Sequence, residues 1–243
     1  MKICLAQTKP FTGSIEKNIE QHLELILLAI EQGVELIIFP ELSLTGYEPT
    51  LANAIAISKD DARLTVFQEA RSEKNITIGV GTPIKTSQGI TISMILFQPN
   101  QSVQVYSKGF LHSDEIPYFV SGDNSLMLQL NSQKIALAIC YEISIPEHAE
   151  KAFQNGAQIY IASVAKFKSG INKAKTELAN IAKRYSMNVL MANCIGMADG
   201  AECAGKTAVW NKEGGMICEL NELNEGLLIF DTARQTAEKH HLF

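Results

Sequence analysis

Two rhythms of apolar residues alternate along the chain. Between Ser14 and Gln32, Ile15, Ile19, Leu23, Ile26, Leu27 and Ile30 recur at steps of three and four, the period of a helix with one apolar face. Ser14 stands where an N-cap is expected and Gly33 where such a helix stops. Asp61–Lys74, Pro146–Asn155 and Ile171–Tyr185 repeat the same rhythm. Between these segments lie short β-branched runs that predict strands: Ile3–Ala6, Leu36–Phe39, Ile76–Gly81, Ile90–Phe97, Val103–Tyr106, Leu126–Leu130, Ile135–Ile139, Ile159–Ser163 and Val189–Ala192. Thr207–Trp210 and Met216–Glu219 read as a hairpin across Asn211–Gly215, and Leu227–Phe230 as a last strand. His240 and His241 fall in a tail expected to be mobile. With no linker or repeat between them, the alternating elements predict one α/β domain over residues 1–243.

Composition narrows the function classes. The chain has 243 residues, is 46% hydrophobic and carries a net charge of -5, which gives no electrostatic footprint for nucleic acid or an anionic membrane. Its apolar runs are far shorter than the roughly 20 residues a spanning helix needs, and no secretory leader precedes the strand at Ile3. A cytoplasmic protein acting on a small molecule is the resulting expectation. Five cysteines, none in a C-x-x-C pair and none with histidines at zinc-finger spacing, argue against disulfide or metal frameworks. Neither a G-x-S-x-G elbow nor an H-E-x-x-H motif occurs.

Three polar residues directly follow strand-like runs: Glu41 after Leu36–Pro40, Lys108 after Val103–Ser107, and Cys140 after Ile135–Ile139. Ligands of open α/β sheets bind at the carboxyl ends of strands, so the three can meet in one crevice. A thiol is mostly protonated at neutral pH and needs a base to become a nucleophile. Glu41 is the candidate base, acting with a raised pKa. Lys108 and the backbone N–H of Tyr141 are candidates for holding an oxyanion. Ser144-Ile145-Pro146-Glu147 reads as a capping box opening the next helix.

These segments resemble the motifs of the nitrilase (carbon–nitrogen hydrolase) superfamily. Phe39-Pro40-Glu41-Leu42 with Thr45-Gly46-Tyr47 is similar to its glutamate motif, Tyr106-Ser107-Lys108 with Leu111-His112 to its lysine motif, and Cys140-Tyr141-Glu142 with Pro146-Glu147 to its cysteine motif. The resemblance implies a four-layer α-β-β-α sandwich, often a homodimer, that hydrolyses small linear amides (ω-amides or N-carbamoyl compounds) without cofactor or metal. It implies Glu41, Lys108 and Cys140 as the catalytic triad and Glu115 as a second glutamate positioning lysine and substrate. Tyr47, Tyr141 and Lys166 are the substrate-binding candidates, Lys166 as a ligand for a substrate carboxylate. Nitrile-specific members usually carry tryptophan where this chain has Tyr141, which favours an amidase.

The chain departs from the pattern in two places near the family's pocket. Ser144 replaces an arginine common four residues after the nucleophile, and Lys166 stands where many amidases carry tryptophan or small polar residues. Two rival functions are an ammonia donor of glutaminase type serving a partner synthetase, and an idle scaffold of the same fold. Gly200–Thr207 also fits the P-loop pattern G-x-x-x-x-G-K-[ST], with Leu227–Asp231 as its second strand. That motif needs a helix after it, whereas Thr207–Trp210 is β-rich.

Overall fold

The computed structural model describes residues 1–241. Among the described residues, fifteen strands and five α-helices follow one another in the order the apolar rhythms predict, with four additions. The strands are β1 Lys2–Gln7, β2 Leu36–Ile38, β3 Thr77–Thr86, β4 Gly89–Phe97, β5 Gln104–Ser107, β6 Met127–Leu130, β7 Gln133–Ile139 and β8 Ile159–Val164. Beyond these come β9 Asn188–Asn193, β10 Ile195–Ala198, β11 Ala201–Ala204, β12 Ala208–Trp210, β13 Met216–Glu219, β14 Gly226–Asp231 and β15 Thr236–His241. The helices are α1 Ile15–Glu31, α2 Ala52–Ile55, α3 Thr65–Lys74, α4 Pro146–Gln154 and α5 Ile171–Tyr185.

One sheet runs β15-β14-β1-β2-β3-β4-β5 and a second β13-β12-β9-β8-β7-β6, with β10 and β11 forming a separate two-stranded ribbon. Period-two alternation explains how they stack. Ile3, Leu5, Leu36, Ile38, Leu228 and Phe230 face Leu137, Ile139, Ile161 and Leu190 of the second sheet in one central core. Their alternate neighbours Cys4, Ala6, Ile37, Leu227 and Ile229 pack outward under α1 and α3, against Ile19, Ile26 and Phe67. Ala136, Ala138, Tyr160 and Val189 turn to Ala149, Leu178 and Ile181 of α4 and α5. The architecture is the four-layer α-β-β-α sandwich.

Helix α1 ends as expected: Gly33 adopts φ +70, while the Val34 N–H bonds back to the Ala29 carbonyl at 3.1 Å. Its start differs, because the Ser14 hydroxyl makes no capping bond. The buried Asn18 amide instead ties the incoming chain, donating to the Phe11 and Leu44 carbonyls and accepting from the Phe11 N–H. Nor is Ser144 a cap: Ile145 precedes α4, Pro146 fills its first position, and the Ser144 hydroxyl donates to Glu177. The tail expected to be mobile is β15, in which His240 and His241 pair with Leu227 and Gly226. The P-loop reading fails on its context. Ala201–Ala204 is a strand, Thr207 leads into β12, and Lys206 pairs with Glu222 at 3.3 Å.

Candidate active site

The carboxyl ends of β2, β5 and β7 meet where the two sheets face each other. Beyond β2, the Phe39 N–H continues the pairing to the Gly79 carbonyl at 2.9 Å, and Ser163 of the opposite sheet donates to the Phe39 carbonyl at 2.8 Å. The chain then turns over Gly81, whose N–H bonds the Ser43 hydroxyl at 3.3 Å and whose carbonyl accepts from Leu44 at 2.9 Å. This sets the Glu41 carboxylate in the interior, 2% exposed. At the end of β5 the Lys108 N–H bonds the Ile92 carbonyl at 2.8 Å, and the whole lysine side chain is buried.

Lys108 Nζ donates to Glu41 Oε1 at 2.9 Å and to Glu115 Oε1 at 2.6 Å. Glu115 comes from the loop after β5 and is fixed from both sides. Tyr47 donates its hydroxyl to Oε1 at 3.1 Å, and the His112 N–H donates to Oε2 at 2.8 Å. Adjacent Asp114 is exposed and bonds the His112 ring in the cavity wall, so only Glu115 of the acidic pair reaches the buried Lys108. Burial alone would push Lys108 down, yet the negative groups around it, Glu41 first, outweigh it and hold the ammonium above its ordinary pKa. Glu41 is shifted up, first by burial and then by Glu115, against the pull of Lys108. Tyr47 stays firmly protonated for the same reasons, burial first and then Glu41 and Glu115.

Glu41 Oε2 has no hydrogen-bond partner although it is fully buried. An orphaned carboxylate oxygen is costly inside a protein unless something arrives to use it. The neighbouring group is Cys140, which opens a helical turn at Cys140–Ser144 with φ +44. That backbone conformation costs a β-substituted residue about 1–2 kcal/mol, and it is held by Glu142. One Glu142 oxygen accepts from the Ile139 N–H at 2.8 Å and from Tyr106 at 2.7 Å. The other accepts from the Gly109 N–H at 2.8 Å and Asn124 at 2.9 Å. Burial and the Glu41 charge push the Cys140 thiol up to about 11, while Lys166 and Lys108 pull the other way.

Tyr47, His112, Glu115, Cys140, Tyr141, Lys166 and Phe167 line one cavity of about 190 Å³. All seven site residues expected from the sequence therefore converge, while Ser144 does not join them. Its hydroxyl is engaged by Glu177 outside this cavity. Sequence reasoning left Glu142 without a role and missed Phe167, which packs edge-on to Tyr47 at 6.3 Å. It also missed the β10–β11 ribbon that bridges to Phe167. A glutamate following the nucleophile in a strand-end turn was the available signal for Glu142, since such a turn leaves backbone N–H groups in need of an acceptor.

A family model described as carbon-nitrogen hydrolase matches residues 2–241. The chain belongs to the carbon–nitrogen hydrolase family. Its fold is that of the amidase from Nesterenkonia sp. AN1. A cysteine-to-alanine variant of that amidase in complex with butyramide superposes with a TM-score of 0.86 at 23% identity, over 97% of this chain and 92% of that one. The 2-oxoglutaramate amidase of Bacillus subtilis is 25% identical over 92% of this chain and 93% of its own length. The glutamine-dependent NAD(+) synthetase of Acinetobacter baylyi is 25% identical over 93% of this chain but only 43% of its own length. The chain thus spans about two fifths of the NAD(+) synthetases it matches. Among the described residues no helix is long and apolar enough to cross a membrane, and no cluster of three potential metal ligands forms.

Proposed function

We propose that this carbon–nitrogen hydrolase cleaves a small linear amide through a thioester on Cys140. The observation that carries the reading is the orphaned, buried Glu41 Oε2 beside a thiol that is protonated at rest. On attack the thiol proton passes to Glu41 and the sulfur electron pair forms the bond to the carbonyl carbon. The carbonyl π pair moves to oxygen, where Lys108 and the Tyr141 N–H neutralise it. Collapse expels the amine, which takes its proton from Glu41. Water then gives a proton to Glu41, adds to the thioester and releases the acid, and the sulfur recovers the proton. Glu115 and Tyr47 keep the Lys108 ammonium pointed at the reacting oxygen. The cavity, about 190 Å³, is small beside the roughly 300–1,000 Å³ of sites for drug-sized ligands, which favours short substrates.

The test is mass spectrometry of the intact protein during turnover of a panel of short amides and N-carbamoyl compounds, with ammonia measured in parallel. Ammonia release with a transient acyl adduct on Cys140, both absent in Cys140→Ala, is expected. Turnover that persists in Cys140→Ala sinks the reading. The NAD(+) synthetase relatives support a second reading, an ammonia donor working with a partner synthetase. Co-purification with an ATP-dependent ligase, and glutamine hydrolysis stimulated by it, distinguishes the two.

A further inference from the structure

Lys166 differs from the other lysines around it. Lys168 pairs with Glu202 at 2.8 Å, Lys173 faces Glu177 at 3.9 Å, and Lys175 pairs with Glu219, all on the outside. Lys108, inside, is neutralised by two carboxylates. Lys166 is half-buried in the wall of the active-site cavity, and among the described residues no carboxylate lies within ion-pairing distance of it. The main chain at this point is pinned. Its N–H donates to Asn193 Oδ1 at 2.8 Å, and its carbonyl accepts from the Ala204 N–H at 2.8 Å and Asn193 Nδ2 at 3.2 Å. Asn193 is itself buried and further held by the Gly205 carbonyl at 2.6 Å. A rigid base thus delivers a cation with the Cys140 thiol beside it but no carboxylate partner into a small, partly apolar pocket.

Leaving an ammonium half-dehydrated without a counter-charge costs free energy that an anionic occupant would offset. The position limits what that occupant is. The carbonyl under attack must lie between Cys140 and Lys108, and Lys166 is near enough to the Cys140 thiol for each to shift the other's protonation. An anion on Lys166 therefore sits only a few bonds from the scissile carbonyl. Two acidic side chains of the wall, Asp114 and Glu115, would repel it from their side of the cavity.

The geometry points to a substrate that carries its own carboxylate, such as the monoamide of a short dicarboxylic acid, with Lys166 as the residue that selects it. This rests on the thioester reading above and names its substrate class. The test separates the two by measuring binding where no chemistry can occur. In the Cys140→Ala background, calorimetry compares the monoamide of a four-carbon dicarboxylic acid with its uncharged methyl ester. The acid is expected to bind about 10- to 100-fold more tightly, the range of a charge-assisted hydrogen bond. Adding Lys166→Met removes that advantage while leaving the ester within about 3-fold, and Lys166→Arg retains most of it. Equal affinity for acid and ester, including no measurable binding of either, overturns the assignment. So does Lys166→Met weakening both alike, which would mark the lysine as structural. Failure of the thioester reading shows separately, as turnover that survives Cys140→Ala.

Discussion

Tyr106 donates its hydroxyl proton to Glu142 at 2.7 Å, joining the strand that delivers Lys108 to the turn that delivers Cys140. The same carboxylate accepts from the backbone on both sides, at Gly109 and at Ile139. Glu142→Gln keeps the shape but presents an NH₂ group to donors. At least one of those bonds is lost and a buried donor is left unpaired. We expect a loss of roughly 2–4 kcal/mol, or roughly 4–16 °C in Tm for a chain of this size. Turnover should fall with little change in KM, because the lysine and the nucleophile lose their common anchor. A variant with unchanged Tm and kcat would show that Glu142 is incidental.

Much of this arrangement was readable from residue order, for a physical reason. A parallel strand buried on both faces has a nearly continuous apolar run, so the first polar residue beyond Ile38 or Ile139 marks its carboxyl end, whereas β5 is an antiparallel edge strand with no such run. Boundaries that rest on period alone held to within a few residues, as at α1 and α5. What escaped has little period to show. The ribbon β10–β11 is four residues per strand, rich in alanine and glycine, and β15 is a polar edge strand with charges at Glu238 and Lys239. Capping failed where a different side chain was better placed: Asn18 does the work assigned to Ser14, and Glu177 takes the Ser144 hydroxyl. The gathering of Tyr47, Glu115 and Lys166 around the triad depends on loops, whose paths no local pattern specifies.

Glu41 makes a prediction of opposite sign for two properties of one thiol. Burial first and the Glu41 charge second hold Cys140 at about 11. Glu41→Gln removes the negative charge and leaves Lys108 and Lys166, so the thiol pKa should drop below that value. Alkylation by uncharged iodoacetamide, followed against pH, should show its midpoint move down. Turnover should nevertheless fall by about 10²- to 10⁴-fold, the usual contribution of a general base. A midpoint that stays or rises would remove Glu41 from contact with the nucleophile.

His22 offers a pH test at a distance from the cavity. Its ring is buried, stacks on Phe39 at 3.9 Å and bonds the Ser43 hydroxyl at 2.9 Å, bracing the loop that carries Glu41. Burial lowers its pKa to about 3, with the Asn18 carbonyl opposing. The unfolded chain, at the ordinary 6.5, binds the proton more readily, so stability is complete above that pH and is lost as pH falls from there toward 3. At pH 4.5 the loss from this group is about 2–3 kcal/mol. The drop in Tm between pH 7 and pH 4.5 should therefore be smaller in His22→Gln than in the parent. Equal drops would show that other groups dominate acid unfolding.

Gly81 and Gly33 separate a need for space from a need for backbone freedom. A β-carbon on Gly81 would stand 2.4 Å from the Pro40 carbonyl oxygen and 2.5 Å from the Leu42 nitrogen. Both atoms are backbone of the turn that carries Glu41, so neither can swing aside as a side chain would. At Gly33 nothing lies within 4 Å, and only φ +70 disfavours a side chain. Gly33→Ala should cost about 1 kcal/mol, roughly 2–4 °C, with activity intact. Gly81→Ala should cost about 3 kcal/mol, roughly 6–12 °C, because the turn must lift off β3. The Glu41 carboxylate then moves relative to Lys108 and Cys140, and turnover should fall by more than 100-fold at temperatures where the protein remains folded, since sub-ångström placement governs such steps. Gly81→Ala retaining full activity would mean that the Glu41 turn tolerates displacement, and that its close seat on β3 is not what places the base.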